Sequence, residues 1–258
     1  MSTSSPPSIP RGLLRRVSRS FALTLDFLPH EVRKPISLAY LLARLSDTEA
    51  DGAVTASERE LLTRKSDIEA LLPLSPDREA IERVWTTIRE GQAWDSHRFP
   101  SHDAPPLSSN ELSRYTYLVA GCVGEFWTRV CAEKLPRFAS HPIEEMILLG
   151  ISYGQGLQLV NILRDRHADR ARGRVYVPPS HLEETFDAAR EYLQSGCLYC
   201  RALRHWRLRA ATVLPYLLGI KTLECIAQSP ENPRAKIGKS ALWWCVAQAL
   251  VFRHQASE

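Results

Sequence analysis

The chain has 258 residues, of which 44% are hydrophobic, and its 33 basic and 29 acidic side chains give a formal net charge of +4. This length suits one large domain or two small ones, and the apolar content is ample for a buried core. The charge is too weak and too scattered to indicate a nucleic-acid partner, because no basic patch with interleaved aromatic residues and no zinc-finger spacing occurs. Anionic substrates or an anionic membrane surface remain compatible with it.

The cysteines and the apolar segments bear on the cellular compartment expected for the protein. A disulfide framework is not expected in a long chain without a signal peptide. The pair Cys197 and Cys200 has no second pair, which favours ordinary packing thiols over a metal or redox role. No apolar run approaches the length needed to span a bilayer, and we interpret Trp243 and Trp244 as core residues. We therefore expect a cytoplasmic protein, with membrane association and oligomeric state left open.

The N-terminal half is predicted to be helical after a short tail. Residues 1–10 are rich in serine and proline and predict a disordered tail, ahead of one domain over residues 11–254. Apolar residues at helical spacing predict a helix that begins at Arg11 and stops before Pro29. The next helix is expected to begin near Glu31 and to end at Gly52.

Capping signals predict two more helices before a proline-rich loop. Thr55 or Ser57 can cap a helix that runs to about Leu72, since Ser57 and Glu60 have the spacing of a capping box. Asp77 is expected to cap a helix that reaches about Trp94. Prolines then mark a loop over residues 99–109, and the acidic and histidine residues around it receive no role because they lack helical spacing: Asp95, His97, His102 and Asp103.

The C-terminal half continues the helical pattern. A long helix is expected from Asn110 to Pro136, and Pro142 stands at the first turn of the next one, which Gly173 and Pro178 end. Later helices are predicted over residues 186–205, 206–227 and 238–252. No period-two strand or hairpin turn appears, so the sequence predicts an all-α fold, a single helical bundle.

The stretch from Gly154 to Val177 carries the clearest functional pattern. As a helix it places five polar side chains on one face, at steps of three, four, four and three: Gln158, Asn161, Asp165, Asp169 and Arg172. The residues between them in the first two turns are apolar, as in a protein interior. A polar face on such a helix is costly unless something satisfies it. Two carboxylates one turn apart suit a hard divalent cation that in turn holds phosphate.

A second stretch repeats this arrangement. Residues 37–51 read SLAYLLARLSDTEAD and place polar residues on one face at steps of three, four, three and four: Ser37, Tyr40, Arg44, Asp47 and Asp51. Two aspartate pairs across a cavity could hold magnesium ions, which with nearby arginines would make a diphosphate a better leaving group. If the cavity is otherwise apolar, the substrate carries a hydrocarbon, and burying about fifteen CH₂ groups gains on the order of 10 kcal/mol.

Four ordered motifs resemble those of the squalene/phytoene synthases, which join two prenyl diphosphates head to head. They are Ser18-Arg19-Ser20-Phe21, residues 40–51, residues 115–124, and residues 156–169 followed by Arg172-Gly173-Arg174. The resemblance extends from Ser18 to about Lys239, and residues 212–239 look more like squalene synthases. It implies an isoprenoid-synthase-type helical bundle with a central apolar cavity.

The resemblance also implies residue roles. Magnesium ligands would be Asp47, Asp51, Asn161, Asp165 and Asp169. Substrate contacts would come from Ser18, Arg19, Ser20, Phe21, Arg44, Gln158, Asn161, Arg164 and Arg174. Catalytic groups would be the four aspartates with Tyr40, Arg44 and Tyr115.

The implied reaction condenses two farnesyl diphosphates to presqualene diphosphate and then, with NADPH, to squalene. A dehydrosqualene or phytoene synthase that needs no NADPH is the alternative within the same chemistry. A non-catalytic helical assembly factor is the alternative of another class, but such a protein would be expected to lose the metal ligands, and here all four aspartates are present.

Overall fold

The computed structural model of the chain describes residues 11–17, 24–52, 55–101, 104–228 and 237–252. Within these ranges the chain is helical, and the only β-type pairing is an isolated bridge between Ala139 and Leu203. The all-α prediction is thus confirmed. The predicted tail and the Ser18–Phe21 motif lie outside the described residues, and the single-domain assignment stays a prediction.

The helices follow the predicted order closely. We number them α1 (Arg11–Val17), α2 (His30–Asp51), α3 (Ala56–Thr63), α4 (Lys65–Glu69), α5 (Arg78–Arg98), α6 (Ser109–Thr116), α7 (Cys122–Lys134), α8 (Ile143–Ala171), α9 (Leu182–Ala202), α10 (Trp206–Gln228) and α11 (Lys239–Val251). A π-helical segment, Tyr117–Gly121, joins α6 to α7, and a 3₁₀ turn, Pro179–His181, precedes α9.

Two capping predictions are wrong in detail. The capping box of α3 is formed by Thr55 and Glu58, not by Ser57 and Glu60: the Thr55 hydroxyl accepts from the Glu58 backbone N–H, and the Glu58 carboxylate accepts from that of Thr55. Asp77 stands before α5 but makes no side-chain cap. Its carboxylate is instead buried against Lys134, with 2.6 Å between Oδ1 and Nζ.

Two prolines lie inside helices rather than at boundaries. Pro35 lies in α2 and Pro215 in α10. An interior proline costs about 3 kcal/mol in helix propensity. In α10 the residues just before Pro215 are deeply buried, among them Val213 and Leu214 with no exposed surface. Tertiary packing therefore outweighs the local preference.

Helix α8 is the central helix of the bundle and packs against α6, α7, α9 and α10. Its approach to α7 is closest at a pair of glycines. A Cβ atom placed on Gly124 would lie 1.9 Å from the carbonyl oxygen of Gly150, so the two backbones touch directly. This contact fixes the height and rotation of α8, and with them its polar face.

The last helix differs from expectation. Trp243 and Trp244, expected in the core, are 67% and 48% exposed, because α11 buries only Cys245 and Ala249. Contrary to the prediction, α8 and α10 are long and apolar enough by length and composition to cross a membrane, although half of the most apolar stretch of each is buried within the bundle. All six cysteines are free, as predicted: Cys122, Cys131, Cys197, Cys200, Cys225 and Cys245.

Candidate active site

Four of the five side chains of the predicted polar face lie on α8 and are partly buried: Gln158, Asn161, Asp165 and Asp169. The fifth, Arg172, follows the last residue of α8 and is exposed. Asn161 donates to Gln158, with 3.4 Å between Nδ2 and Oε1. Arg164 lies beside Asp165 and binds its carboxylate through two nitrogens, Nε at 2.9 Å and Nη2 at 2.5 Å. Such a two-point ion pair restrains the Asp165 carboxylate, although both side chains stay partly exposed to water.

The surroundings of Asp169 disfavour the ionised form of its carboxyl group. Burial raises the pKa of its carboxyl from 3.8 to about 6, and the negative charge of Asp165 adds to the effect. Arg174 and Arg172 act in the opposite direction but do not compensate. Two carboxylates whose charges repel one another are a favourable place for a divalent cation.

The polar face on α2 is occupied by ion pairs of its own. Arg44 reaches Glu58, with 2.6 Å between Nη2 and Oε1, and lies 3.8 Å from the Asp47 carboxylate. Tyr40 is half-buried beside the core. Helix α2 ends at Asp51, whose side chain lies outside the part of the molecule that the structure describes.

Helix α5 contacts both the polar face of α2 and the turn that follows α8. Its Gln92 donates to the Asp47 carboxylate on one side. One turn later, Asp95 accepts a 2.8 Å hydrogen bond from the Tyr176 hydroxyl and lies 3.4 Å from Nε of Arg174. The charge of Asp95 also raises the pKa of Asp169. Asp47 of the first acidic pair and Arg174, which follows the second pair, thus both contact α5, and the convergence of the two acidic pairs on one cavity stays a prediction.

A sharp turn after α8 directs Arg174 and Tyr176 toward α5. Gly173 has a φ of 81°, a left-handed conformation that glycine adopts without strain. The backbone N–H groups of Arg172 and Arg174 both donate to the Asp169 carbonyl, at 2.9 and 2.8 Å. The last turn of α8 is thereby closed, and the chain reverses beside the polar face.

A cluster of aromatic rings surrounds this junction. Tyr115 and Tyr176 stack with 5.1 Å between ring centroids, and their hydroxyl oxygens are 3.4 Å apart. Trp94 stacks on Tyr115, and Phe99 meets Tyr176 edge-on. Burial raises the pKa of both tyrosines far above 10, so each is a neutral phenol at physiological pH.

Asp95 and Tyr176 are not among the predicted site residues. Helix α5 continues to Arg98, one turn beyond its predicted end at Trp94, so Asp95 lies in a helix and not in a loop. A usable signal exists, because Asp95 continues a buried stripe at steps of three and four along α5: Ile81, Val84, Ile88, Gly91 and Asp95. A buried aspartate on an apolar stripe indicates a partner elsewhere in the chain.

Among the described residues, no group of three or more His, Cys, Asp or Glu side chains is already arranged around a metal position. Asp165 is paired with Arg164, and Asp47 with Gln92. The donor chemistry nevertheless fits magnesium, because Asp165 and Asp169 offer oxygen ligands one turn apart and their negative charges repel one another.

A groove of about 560 Å³ adjoins the site at Tyr176, between α6, α8 and α9. Apolar side chains contribute much of its wall, including Leu112, Leu159 and Val177. None of the predicted aspartates lines it. This groove is therefore not the apolar cavity expected between the two acidic helices, and that cavity stays a prediction.

The helical bundle and its solved neighbours define an isoprenoid-synthase-type fold. The chain superposes on TcSQS in complex with the ligand BPH1237 with a TM-score of 0.78 at 18% identity, covering 93% of this chain and 85% of that one. It superposes on squalene synthase HpnC from Alicyclobacillus acidocaldarius with a TM-score of 0.61 at 20% identity, covering 87% and 98%.

The family model for squalene/phytoene synthase matches residues 14–188, and the chain belongs to this family. It is 26% identical over 221 residues to 4,4'-diapophytoene synthase of Staphylococcus haemolyticus, covering 77% of this chain and 71% of that protein. It is 26% identical over 272 residues to a probable squalene synthase of Neurospora crassa, covering 84% and 56%. The chain thus spans little more than half of the fungal protein.

Asp169→Asn is expected to stabilise the metal-free protein at pH 8 but not near pH 3.5. Because the pKa of Asp169 is raised on folding to about 6, its favourable contribution is complete below pH 3.8 and is lost as the pH rises through 6. The full shift corresponds to about 3 kcal/mol, which partial exposure to water reduces to about 1–2 kcal/mol. Urea unfolding with EDTA at both pH values measures this difference. An equal change at both would contradict it.

Proposed function

We propose that this chain is a magnesium-dependent prenyltransferase that joins two farnesyl diphosphates head to head, forming presqualene diphosphate and then squalene. Its family comprises enzymes of this type that make squalene, phytoene or dehydrosqualene. The observation that carries the proposal is the junction on α5, where Gln92 binds Asp47 and Asp95 lies beside Arg174 and Asp169. The contacts that α5 makes with Asp47 and with Arg174 support a shared site for the two acidic pairs.

The residues present suit a bound magnesium–diphosphate group. Asp47, Asp165, Asp169 and Asn161 would hold the metal, which supplies the positive charge that makes diphosphate a better leaving group. The chain's own cations add to that charge. Arg44 and Arg164 are each engaged by a carboxylate, and a diphosphate offers the same kind of partner with more charge.

The role proposed for the buried tyrosines is to donate hydrogen bonds and to exclude water from the site. Because burial keeps Tyr115 in its neutral form, it acts as a hydrogen-bond donor and not as a base in the ligand-free site. Its ring stacks between Trp94 and Tyr176, which fixes the direction of the hydroxyl. An aromatic wall of this kind also excludes water, which protects a carbocation formed after diphosphate departs.

Incubation with farnesyl diphosphate and magnesium, with and without NADPH, followed by lipid extraction, tests this proposal. Squalene formed only with NADPH is the expected result. Presqualene diphosphate in both samples would limit the enzyme to the first half-reaction. No turnover of farnesyl or geranylgeranyl diphosphate would overturn the proposal and favour a non-catalytic assembly factor.

A second candidate stays within the same chemistry. Relatives of equal similarity include 4,4'-diapophytoene synthase of Staphylococcus haemolyticus and phytoene synthase of Cereibacter sphaeroides, each 26% identical to this chain. Dehydrosqualene formed without NADPH, or phytoene from geranylgeranyl diphosphate, would establish this alternative in the incubation just described.

Peripheral membrane contact through α11 is part of the same proposal. This helix contains no acidic residue, is preceded by Arg234 and Lys236 in the sequence, and exposes Trp243 and Val251 by about two thirds. Tryptophan and basic side chains suit the boundary between lipid and water. Sedimentation with phosphatidylglycerol vesicles is expected to carry the protein into the pellet. Protein that stays wholly in the supernatant would contradict this part.

A further inference from the structure

We propose that Asp95 is a positioning residue, which orients Arg174 and Tyr176 at the junction of the two acidic faces so that Arg174 can bind the diphosphate of the substrate. This inference rests on the proposed function, because it assigns a role in the same site. Asp95 belongs to neither Asp-x-x-x-Asp pair, and its contacts, not its place in a motif, indicate the role.

The burial of Asp95 requires compensation, and its two oxygens obtain it from different partners. The residue is only 5% exposed. Its Oδ1 accepts from the Tyr176 hydroxyl at 2.8 Å, while Oδ2 lies 3.4 Å from Nε of Arg174. A buried charge persists only when it is paired, so removing Asp95 changes the environment of both partners at once.

The ion pair with Arg174 restrains its guanidinium group. With the Asp95 carboxylate 3.4 Å from Nε, the group stays near α5, which limits the directions in which its terminal nitrogens can bind an anion. The backbone N–H of Arg174 is also bound, by the Asp169 carbonyl at 2.8 Å. The side chain of Arg174 is thus held by the Asp95 carboxylate, and its backbone is held by the last turn of α8.

The contact with Tyr176 extends the effect of Asp95 to Tyr115. Since the Tyr176 hydroxyl donates its proton to Asp95, its oxygen is left to accept from the Tyr115 hydroxyl 3.4 Å away. The stacked rings allow little rotation. Asp95 therefore sets the direction of a chain of two hydroxyl groups that ends at Tyr115.

A matched control lies at the start of α5. Asp77 immediately precedes α5, is 8% exposed and is paired with Lys134 at 2.6 Å, so it is a buried, ion-paired aspartate like Asp95. It lies at the opposite end of α5 from Gln92 and Asp95. A purely structural role for Asp95 predicts that the two aspartates respond alike to substitution.

The test compares Asp95→Asn with Asp77→Asn by three measurements. These are thermal melting, calorimetric titration of the magnesium-loaded protein with inorganic diphosphate, and steady-state kinetics with farnesyl diphosphate. We expect both variants to melt at similar temperatures. Only Asp95→Asn should weaken diphosphate binding, by about tenfold, and lower kcat by about a hundredfold. Diphosphate binding and kcat equal to those of the unsubstituted protein would overturn the inference, as would equal losses in the two variants.

A second substitution protects the test if Asp95→Asn does not fold. Tyr176→Phe keeps the stacked ring and removes only the hydroxyl that Asp95 binds, and we expect a fall in kcat of about fivefold with little change in KM. Unchanged kcat would then overturn the inference. If the unsubstituted protein binds diphosphate but converts no prenyl diphosphate, the proposed function fails while the binding comparison still decides the role of Asp95. If the unsubstituted protein binds no diphosphate, both the proposed function and the proposed role of Asp95 are contradicted.

Discussion

Asp165→Asn is expected to lower kcat with farnesyl diphosphate by at least about a thousandfold, because preorganised charge is the largest single contribution to this kind of catalysis. The substitution keeps the shape of the side chain but removes one negative charge from the polar face of α8. It also leaves Arg164 without the carboxylate that now binds two of its nitrogens. Steady-state kinetics with saturating magnesium, together with circular dichroism to verify folding, provides the measurement.

The control for this experiment is Asp187→Asn. Asp187 lies on α9, is paired with Arg190 at 2.8 Å and is largely exposed, so the same chemical change occurs outside the site. Exposed pairs contribute less than about 1 kcal/mol, and both activity and stability should be retained. Activity preserved in Asp165→Asn would remove Asp165 from the site.

Gly124→Ala is expected to lower the free energy of unfolding by about 3 kcal/mol or more, at the upper end of what overpacking costs. The added methyl group would lie 1.9 Å from the Gly150 carbonyl oxygen, and a backbone atom cannot rotate away as a side chain can. Helices α7 and α8 would have to separate, which would also shift the polar face of α8. Urea unfolding followed by circular dichroism measures the change.

Gly219→Ala is the matched control for that prediction. Gly219 lies in α10, and a methyl group there would meet only Leu157 and Leu193 side-chain atoms at 3.4 Å, an ordinary packing distance. Because alanine favours a helix over glycine by up to about 1 kcal/mol, this variant should be as stable as the unsubstituted protein or more so. Similar unfolding midpoints for the two variants would show that α7 and α8 do not touch at Gly124.

The helices and their polar faces could be predicted because they depend on local spacing. The three-and-four steps that place Asp165 and Asp169 together are a property of any α-helix, and so is the row that contains Arg44 and Asp47. The partners of these residues could not be predicted in the same way. Glu58 reaches Arg44 across the α2–α3 connection, and Asp95 meets Tyr176 from 81 residues away in the chain.

The incorrect predictions also have physical causes. Ser57 and Thr55 both carry a hydroxyl group that can cap a helix, and the residue at which α3 begins decides which of them does so. Trp243 and Trp244 are typical core residues by composition, yet among the described residues α11 packs mainly on α10 and leaves both tryptophans exposed. Whether a tryptophan is buried depends on how many helices surround it, which hydropathy alone does not specify.

The carboxylate of Glu58 performs two tasks with separate atoms. Its Oε1 binds Arg44, whereas Oε2 accepts the backbone N–H of Thr55 and closes the start of α3. The first turn of α3 is therefore closed by a different oxygen from the one that holds Arg44. One side chain thus joins the orientation of a cation on α2 to the start of the next helix.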